Sequence, residues 1–240
     1  MIRSASAEHN YRSSWIPSIA APLKALPGAE ALVPAAETTM RSEIVSASER
    51  RVSVPIPGWL RCPLAARPPV GLDLGERMRF VIELARRNAR ESTGGPFAAA
   101  VFERETGLLV SAGVNLVTYA NCSVLHAEIV ALMLAQSSLG TYDLGADGLP
   151  DHQLVTSTEP CAMCFGAIHW SGVRELACGA RTEDALSIGF DEGEKPADWV
   201  AALERRGVKV VRNVVREEAA AVLAEYARAG GIVYNPRPPR

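Results

Sequence analysis

The sequence lacks the features that mark membrane and secreted proteins. None of its apolar runs approaches the roughly 20 residues that a transmembrane helix needs. Its first residues lack the compact apolar stretch and small-residue cleavage site of a secretory signal. The net charge is only −2 over 240 residues, so no excess of positive charge favours nucleic acid or an anionic membrane. These absences predict a cytoplasmic protein that does not bind a membrane.

Cysteine is also scarce, and the five cysteines do not suggest a disulfide framework. Cys161 and Cys164 form a C-x-x-C pair, which in a reducing compartment is typical of a metal site or a redox pair. We therefore expect mostly reduced thiols. The other three are predicted to be small apolar residues: Cys62, Cys122 and Cys178.

Residues 1–70 differ in composition from the rest of the chain. They contain no Asp and nine of the 16 prolines, and they carry a net charge of +3, so the remainder is mildly acidic at −5. Closely spaced prolines prevent a long helix, and the segment has no sustained apolar period. We predict a low-complexity, disordered leader at 1–70 and one folded domain at 71–240.

Helical and strand patterns alternate through the folded part. A helix is expected to begin near Asp73, because Met78, Val81, Ile82 and Ala85 recur at the three- and four-residue spacing of one apolar stripe. Strands are predicted at 97–103, 108–115, 154–158, 175–180 and 208–212, and further helices at 125–136, 160–171, 197–206 and 216–229. Residues 182–195 show no regular pattern. The alternation predicts a layered α/β domain.

Two short motifs supply the parts of a catalytic zinc site. A catalytic zinc ion takes three protein ligands and leaves one position for water. Cys161 and Cys164 lie on one face of a predicted helical turn, near an N-terminus that favours thiolates, and His126 can supply a third ligand. Glu128, two residues after His126, can take a proton from an activated water and pass it to a leaving amine.

Each motif alone has a simpler interpretation. An H-x-E is often a surface feature, and a C-x-x-C can be a redox pair or half of a four-ligand structural zinc site. No second C-x-x-C or H-x-x-H is present to complete such a structural site. A non-catalytic binding module stabilised by zinc remains an alternative, although it gives Glu128 no role.

The combination of H-A-E with P-C-x-x-C resembles the zinc-dependent cytidine and deoxycytidylate deaminase superfamily, over residues 73–235. The resemblance implies a three-layer α/β/α cytidine deaminase-like fold with a five-stranded mixed sheet, in which both zinc-binding segments open helices on one face. Within the superfamily the chain is most similar to bacterial guanine deaminases. The stretches that carry this similarity are G-G-P-F-A at 94–98, G-V-N at 113–115, T-E-P-C-A-M-C-F-G-A-I at 158–168, I-G-F-D-E-G at 188–193 and I-V-Y-N at 232–235.

The resemblance also assigns residues. It implies zinc ligands at His126, Cys161 and Cys164, with Glu128 and Glu192 as catalytic carboxylates. It implies substrate contacts from Asn115, Phe190, Ala127 and Tyr234. Asn115 can instead be a turn residue, Phe190 a core residue, and the acidic run around Glu192 a solvent-facing loop. Family members with this tail form homodimers, so Tyr234 is expected over a neighbouring subunit's pocket.

The implied reaction is hydrolysis of guanine to xanthine and ammonia. Guanine's reacting C2 carries an amine and is flanked by the ring N1–H, and a second carboxylate such as Glu192 complements these donors. Adenine lacks an N1–H and would leave that carboxylate unpaired. A tRNA adenosine deaminase is the main alternative, disfavoured by the acidic folded part. Another small aminated heterocycle, such as a triazine or cytosine, is a further alternative.

Overall fold

The computed structural model describes residues 53–61 and 73–235. The helices within residues 73–235 are α1 (Leu74–Arg90), α2 (Val117–Ala120), α3 (Ala127–Leu139), α4 (Ala162–Trp170), α5 (Thr182–Ser187), α6 (Trp199–Glu204) and α7 (Arg216–Arg228). Its strands are β1 (Ala98–Glu103), β2 (Leu109–Val114), β3 (His152–Thr158), β4 (Glu175–Ala180) and β5 (Lys209–Val211). No helix among the described residues has the length and apolarity to cross a membrane.

The five strands form one mixed sheet, as the family resemblance implied, and their order is β2-β1-β3-β4-β5. β1 is antiparallel to both β2 and β3, whereas β3, β4 and β5 are parallel. Ala98 pairs with Val114, and Ala99 with Thr156, so the start of β1 lies beside the ends of β2 and β3. Segments 115–117, 94–97 and 159–164 therefore emerge at one edge of the sheet, where a site can be assembled.

Helices cover both faces of the sheet. One apolar cluster joins α1 and α7 to the sheet, and the other joins it to α3, α4 and α6. Asp73 caps α1 through a capping box with Glu76, in agreement with the predicted helix start. β1 is buried along five of its six residues, which confirms the prediction of a central strand.

Gly113 allows α3 to lie close against the sheet. A Cβ atom at this position would lie 2.4 Å from Ala131 N and 2.5 Å from Ala127 O, and real side chains do not tolerate such distances. The absent side chain therefore fixes the depth at which the first turn of α3 sits, and with it the position of His126 and Glu128.

The structure differs from the predicted pattern in two segments. Residues 182–195 contain a short helix, α5, which has no apolar stripe in the sequence. Residues 53–61, inside the predicted leader, pack on the domain: Leu60 is fully buried, and Trp59 Nε1 donates to Thr93 Oγ1 at 3.2 Å while Arg87 lies over its ring. The prediction for the rest of the leader lies outside the described residues.

Candidate active site

The three predicted metal ligands meet where α3 and α4 begin. His126 is the N-cap of α3, Cys161 is the N-cap of α4, and Cys164 lies in the first turn of α4. Their ligand atoms lie within 4.8 Å of one another, and Cys161 Sγ is 3.4 Å from His126 Nδ1. Ligand atoms that share one tetrahedral zinc ion are roughly 3.5–4 Å apart. One nitrogen and two sulfurs at this spacing fit zinc.

The charge state of the two thiols is also suited to a cation. The hydrogen bond from Cys164, together with the nearby His126, lowers the pKa of Cys161 to about 4. The same hydrogen bond and burial raise the pKa of Cys164 well above its usual value. One thiolate is thus already stabilised in the protein, and a bound cation favours ionisation of the second.

A cavity of about 530 Å³ opens beside these ligands. It is lined by Phe97, Asn115, Val117, Ser123, His126, Glu128, Thr156, Thr158, Glu159, Cys161, Ala162, Met163, Phe190, Asp191, Glu192, Gly193, Tyr234 and Asn235. This set contains both predicted catalytic carboxylates and three of the four predicted substrate contacts. The fourth, Ala127, is fully buried between α3 and the sheet and does not line the cavity.

Glu128 lies in the first turn of α3 next to the ligands. Its side chain is buried, and that burial, followed by the negative charge of Cys161, raises the pKa of its carboxyl group from 4.5 to about 6. A carboxylate with a pKa near neutrality is suited to accept and release a proton.

Glu192 points inward from a loop that is otherwise exposed. Glu192 is buried whereas Asp191 and Glu194 are exposed, so the acidic run divides between cavity and solvent. Ala162 N donates to Glu192 O at 2.9 Å, and Lys195 Nζ donates to Pro160 O at 2.6 Å, which ties the loop to the start of α4. Burial, together with the charges of Cys161 and Glu128, raises the pKa of Glu192 to about 8.

Asn115 is held at the end of β2 by backbone contacts. Its side-chain Oδ1 accepts from Gly95 N at 3.4 Å and from Val117 N at 3.3 Å. The backbone carbonyl of Asn115 accepts from Asn88 Nδ2 at 2.8 Å. Asn88 Nδ2 also donates to Gly95 O at 2.8 Å. The carboxamide is therefore oriented with its oxygen toward the backbone.

Aromatic rings and the C-terminal tail close the other side of the cavity. The Phe190 ring packs edge-on between Phe97, at 4.9 Å, and Tyr234, at 5.3 Å between centroids. Asn235 accepts from Asp191 N at 2.9 Å and donates to Gly189 O at 2.7 Å. The tail therefore lines the cavity through Tyr234 and Asn235.

Several lining residues were not singled out from the sequence. Glu159 is buried and accepts from Arg212 Nε at 2.6 Å and from Thr182 N at 3.1 Å, so it anchors the turn before Cys161. Its place in the T-E-P-C motif was a usable signal, but its partners lie far along the chain. Thr156 and Thr158 could have been found from the alternation of side chains along β3.

Comparisons with known proteins agree with this geometry. Residues 74–180 match the family model described as the cytidine and deoxycytidylate deaminase zinc-binding region. The solved structure of a guanine deaminase from Nitrosomonas europaea is 50% identical, with a TM-score of 0.71 over 74% of this chain and 97% of that one. The protein NE0047, solved in complex with 2,6-diaminopurine, is also 50% identical, with a TM-score of 0.72 over 76% of this chain and 96% of that one.

A curated relative extends the match. The guanine deaminase of Bacillus subtilis is 35% identical over 127 residues, which is 50% of this chain and 77% of that protein. The fold, the three-ligand zinc site and these similarities lead to one conclusion: the chain is an enzyme of the zinc-dependent cytidine and deoxycytidylate deaminase family.

Proposed function

We propose that this enzyme hydrolyses guanine to xanthine and ammonia. The observation that carries the proposal is the second carboxylate: Glu192 is buried in the same cavity as Glu128 and the zinc ligands. Two buried carboxylates beside a hydrolytic centre suit a substrate edge rich in N–H groups. The similarity to guanine deaminases supports the same substrate.

The proposed reaction gives separate roles to the metal ligands, to Glu128 and to Glu192. His126, Cys161 and Cys164 would hold zinc, which supplies an activated water at neutral pH when bound. Glu128, buried beside these ligands, would hold a proton and pass it to the departing amine. Glu192 accepts hydrogen bonds from the N–H groups around C2 of the base.

The far edge of the base meets polar and aromatic side chains. Asn115, whose oxygen is engaged by backbone N–H groups, offers its amino group to the purine carbonyl. Phe190 supplies a ring face or edge to the base, while its contacts with Phe97 and Tyr234 keep it in place. Burial raises the pKa of Tyr234, so its hydroxyl stays protonated and can donate.

We also propose that the enzyme is a homodimer that exchanges its tails. Gly230 adopts a left-handed φ of 72°, and a change of backbone direction there would carry residues 231–235 to a second copy. Exchange would preserve every contact of Tyr234 and Asn235, because an identical pocket receives them.

The need for reduced Cys161 and Cys164 supports a cytoplasmic location. Residues 71–240, together with the packed 53–61 segment, would form the catalytic domain.

The test is ammonia release from a panel of substrates at equal concentrations: guanine, 2,6-diaminopurine, adenine, cytosine, an aminated triazine and a tRNA anticodon stem. We expect guanine to react fastest. Inosine formation in the tRNA without reaction of guanine would instead establish the adenosine deaminase alternative.

A matched pair of variants tests whether Glu192 acts in the site. Glu192→Ala is expected to lose guanine turnover by at least about 100-fold while its unfolding transition stays near that of the wild type. Glu194→Ala, which removes an exposed carboxylate from the same loop, is expected to leave turnover unchanged. Equal kinetics in the two variants would remove Glu192 from the site.

A further inference from the structure

Two adjacent glycines begin the G-G-P-F-A motif, and the proposed reaction gives neither of them a role. Gly94 has a positive φ of 152°, and a Cβ atom there would lie 1.9 Å from Asn115 O, so its own backbone explains the missing side chain. Gly95, by contrast, is buried and has a negative φ. Backbone strain therefore does not explain why position 95 carries no side chain.

The missing side chain of Gly95 makes room for the C-terminal tail. A Cβ atom at this position would lie 2.8 Å from Tyr234 Oη and 3.2 Å from Tyr234 Cε1. Nonbonded atoms in favourable contact are roughly 3.5–4 Å apart, so a methyl group and the phenol ring cannot both occupy these places. The next atom, Phe97 Cδ2, would lie at 3.4 Å. Tyr234 is thus the group that an added side chain would displace.

The backbone of Gly95 cannot easily move to relieve such a clash. Its N–H donates to Asn115 Oδ1 at 3.4 Å. Its carbonyl oxygen accepts from Asn88 Nδ2 at 2.8 Å and from Phe97 N at 2.9 Å. Because these bonds hold the glycine from both sides of its peptide unit, the tail is the part that would give way.

The tail is attached to the cavity by contacts that are easier to break. Asn235 is exposed, so water competes for the hydrogen bond that it accepts from Asp191 N. Tyr234 adds an edge-on contact with Phe190, at 5.3 Å between ring centroids, and lines the cavity. A tail that leaves its place beside Gly95 would therefore open the cavity to solvent.

We propose that Gly95 is a positioning residue for the tail: it is the seat of the Tyr234 phenol, and occupancy of this seat sets how tightly the enzyme binds its substrate. The proposal rests on the function proposed above for the identity of that substrate. The seat serves a tail from the same chain and a tail from a second copy alike, because an identical pocket receives either. A larger residue at position 95 would leave the hydrolytic groups in place and the pocket open.

The experiment uses the zinc-loaded full chain with Gly95→Ala, Tyr234→Phe, their combination, and Gly58→Ala as the matched control. Gly58 is exposed, has a negative φ and, among the described residues, has no neighbour within 4 Å of an added Cβ atom. Steady-state kinetics with guanine separates KM from kcat. Hydrogen exchange at the Asp191 amide, which donates to Asn235, reports whether the tail is seated, and the denaturation midpoint checks folding.

We expect Gly95→Ala to raise KM for guanine about 10-fold and to speed exchange at the Asp191 amide. Its kcat should stay within about twofold of the wild type, because the atoms nearest the methyl group belong to Tyr234 and Phe97. In the Tyr234→Phe background the same substitution should change KM by at most about twofold, since the hydroxyl is gone and a small shift of the ring relieves the remaining contact. Gly58→Ala should match the wild type throughout.

Three results would overturn the proposal. A wild-type value of either KM or amide exchange in Gly95→Ala would show that the tail tolerates the methyl group. An equal rise in KM with and without the Tyr234 hydroxyl would assign the effect to Asn115 instead. A fall in the denaturation midpoint that Tyr234→Phe does not reverse would assign Gly95 to the folded structure.

Failure of the underlying function is distinguishable from failure of the seat. A wild-type protein that releases no ammonia from guanine would refute the proposed function. The exchange measurement needs no substrate, so it still tests whether Gly95 seats the tail.

Discussion

The carboxyl group of Glu128 lies in an environment that disfavours its ionised form. The side chain is buried, and the negatively charged Cys161 thiolate lies nearby; both effects raise the pKa of the carboxyl group. His126 opposes them by attraction, and a bound zinc ion would add to that attraction. The group is thus balanced between its two protonation states, as a residue that both accepts and delivers a proton requires.

Replacing Glu128 by Gln is expected to lower kcat by a factor on the order of 10² to 10⁴, because the amide cannot carry the proton. Zinc content should stay at the wild-type level, since the proposed ligands are His126, Cys161 and Cys164. Ammonia release and metal analysis check the two parts. Turnover near that of the wild type would assign the proton transfer to another group.

The pH profile provides a second check on Glu128. Only its ionised form accepts a proton, so kcat/KM should fall as the pH drops through the pKa of this residue. That pKa is about 6 in the protein alone, and a bound cation would lower it further. We therefore expect an acid limb at or below pH 6. An acid limb above pH 7 would point to the Glu192 carboxyl, whose pKa is about 8, and would contradict the assignment to Glu128.

Among the secondary-structure elements, α5 and α7 are joined by one carboxylate. Asp184 accepts from Arg216 Nε at 3.0 Å and Nη2 at 2.9 Å, and from Arg181 N at 2.8 Å. The hydrogen bonds from Arg216 come first among the interactions that lower the pKa of Asp184. Because the folded-state pKa is lowered, the stabilisation is present above the ordinary value of 3.8 and is lost as pH falls through the folded value.

Asp184→Asn should therefore lower the free energy of unfolding by about 1 kcal/mol at neutral pH. The difference from the wild type should shrink as the pH falls below about 4. Denaturant titrations at several pH values measure both effects. Asp198→Asn is the control, because its ion pair with Arg205 is exposed and contributes little. A difference for Asp184→Asn that persists at pH 2 would mean that its charge is not the cause.

The tail is a second element with a measurable role. Asn235 is exposed, yet its side chain joins the tail to both sides of Phe190 through Asp191 N and Gly189 O. Asn235→Ala should raise KM about fivefold, because the pocket would be closed for less of the time, with unchanged stability. Steady-state kinetics tests this, with the half-exposed Val233→Ala as a control. An unchanged KM would separate the tail from substrate binding.

The sequence predicted those elements whose signals are local. The apolar stripe on α1, its start near Asp73 and the small apolar residues of β1 are all contiguous patterns, and the structure confirms them. The spacing of His126, Cys161 and Cys164 likewise predicted three side chains whose ligand atoms lie within 4.8 Å of one another in the structure. Three features depend on partners far along the chain and had no such pattern: the Arg212–Glu159 ion pair, the packing of Leu60, and the approach of Tyr234 to Gly95.

At the scale of the whole molecule, the two apolar clusters hold the sheet and helices together. Neither cluster contains any of the three proposed metal ligands. Both helices that carry the metal ligands contribute to the second cluster, α3 through Ala131 and Leu132 and α4 through Ile168. Removal of zinc by a chelator should therefore abolish ammonia release while the far-UV circular dichroism stays near that of the native protein. Adding zinc back should restore turnover. Unfolding on chelation, with no deaminase activity before it, would indicate a zinc-stabilised binding module instead.

The residues of the site are divided between packed helices and loop segments. His126, Glu128, Cys161 and Cys164 lie at the starts of packed helices. Asn115 and Glu192 lie on connecting segments, and Tyr234 lies on the C-terminal tail. Connecting segments tolerate replacement better than packed helices do. Over evolutionary time such a layout lets a lineage acquire a new substrate by drift in its loops while the hydrolytic chemistry is inherited intact.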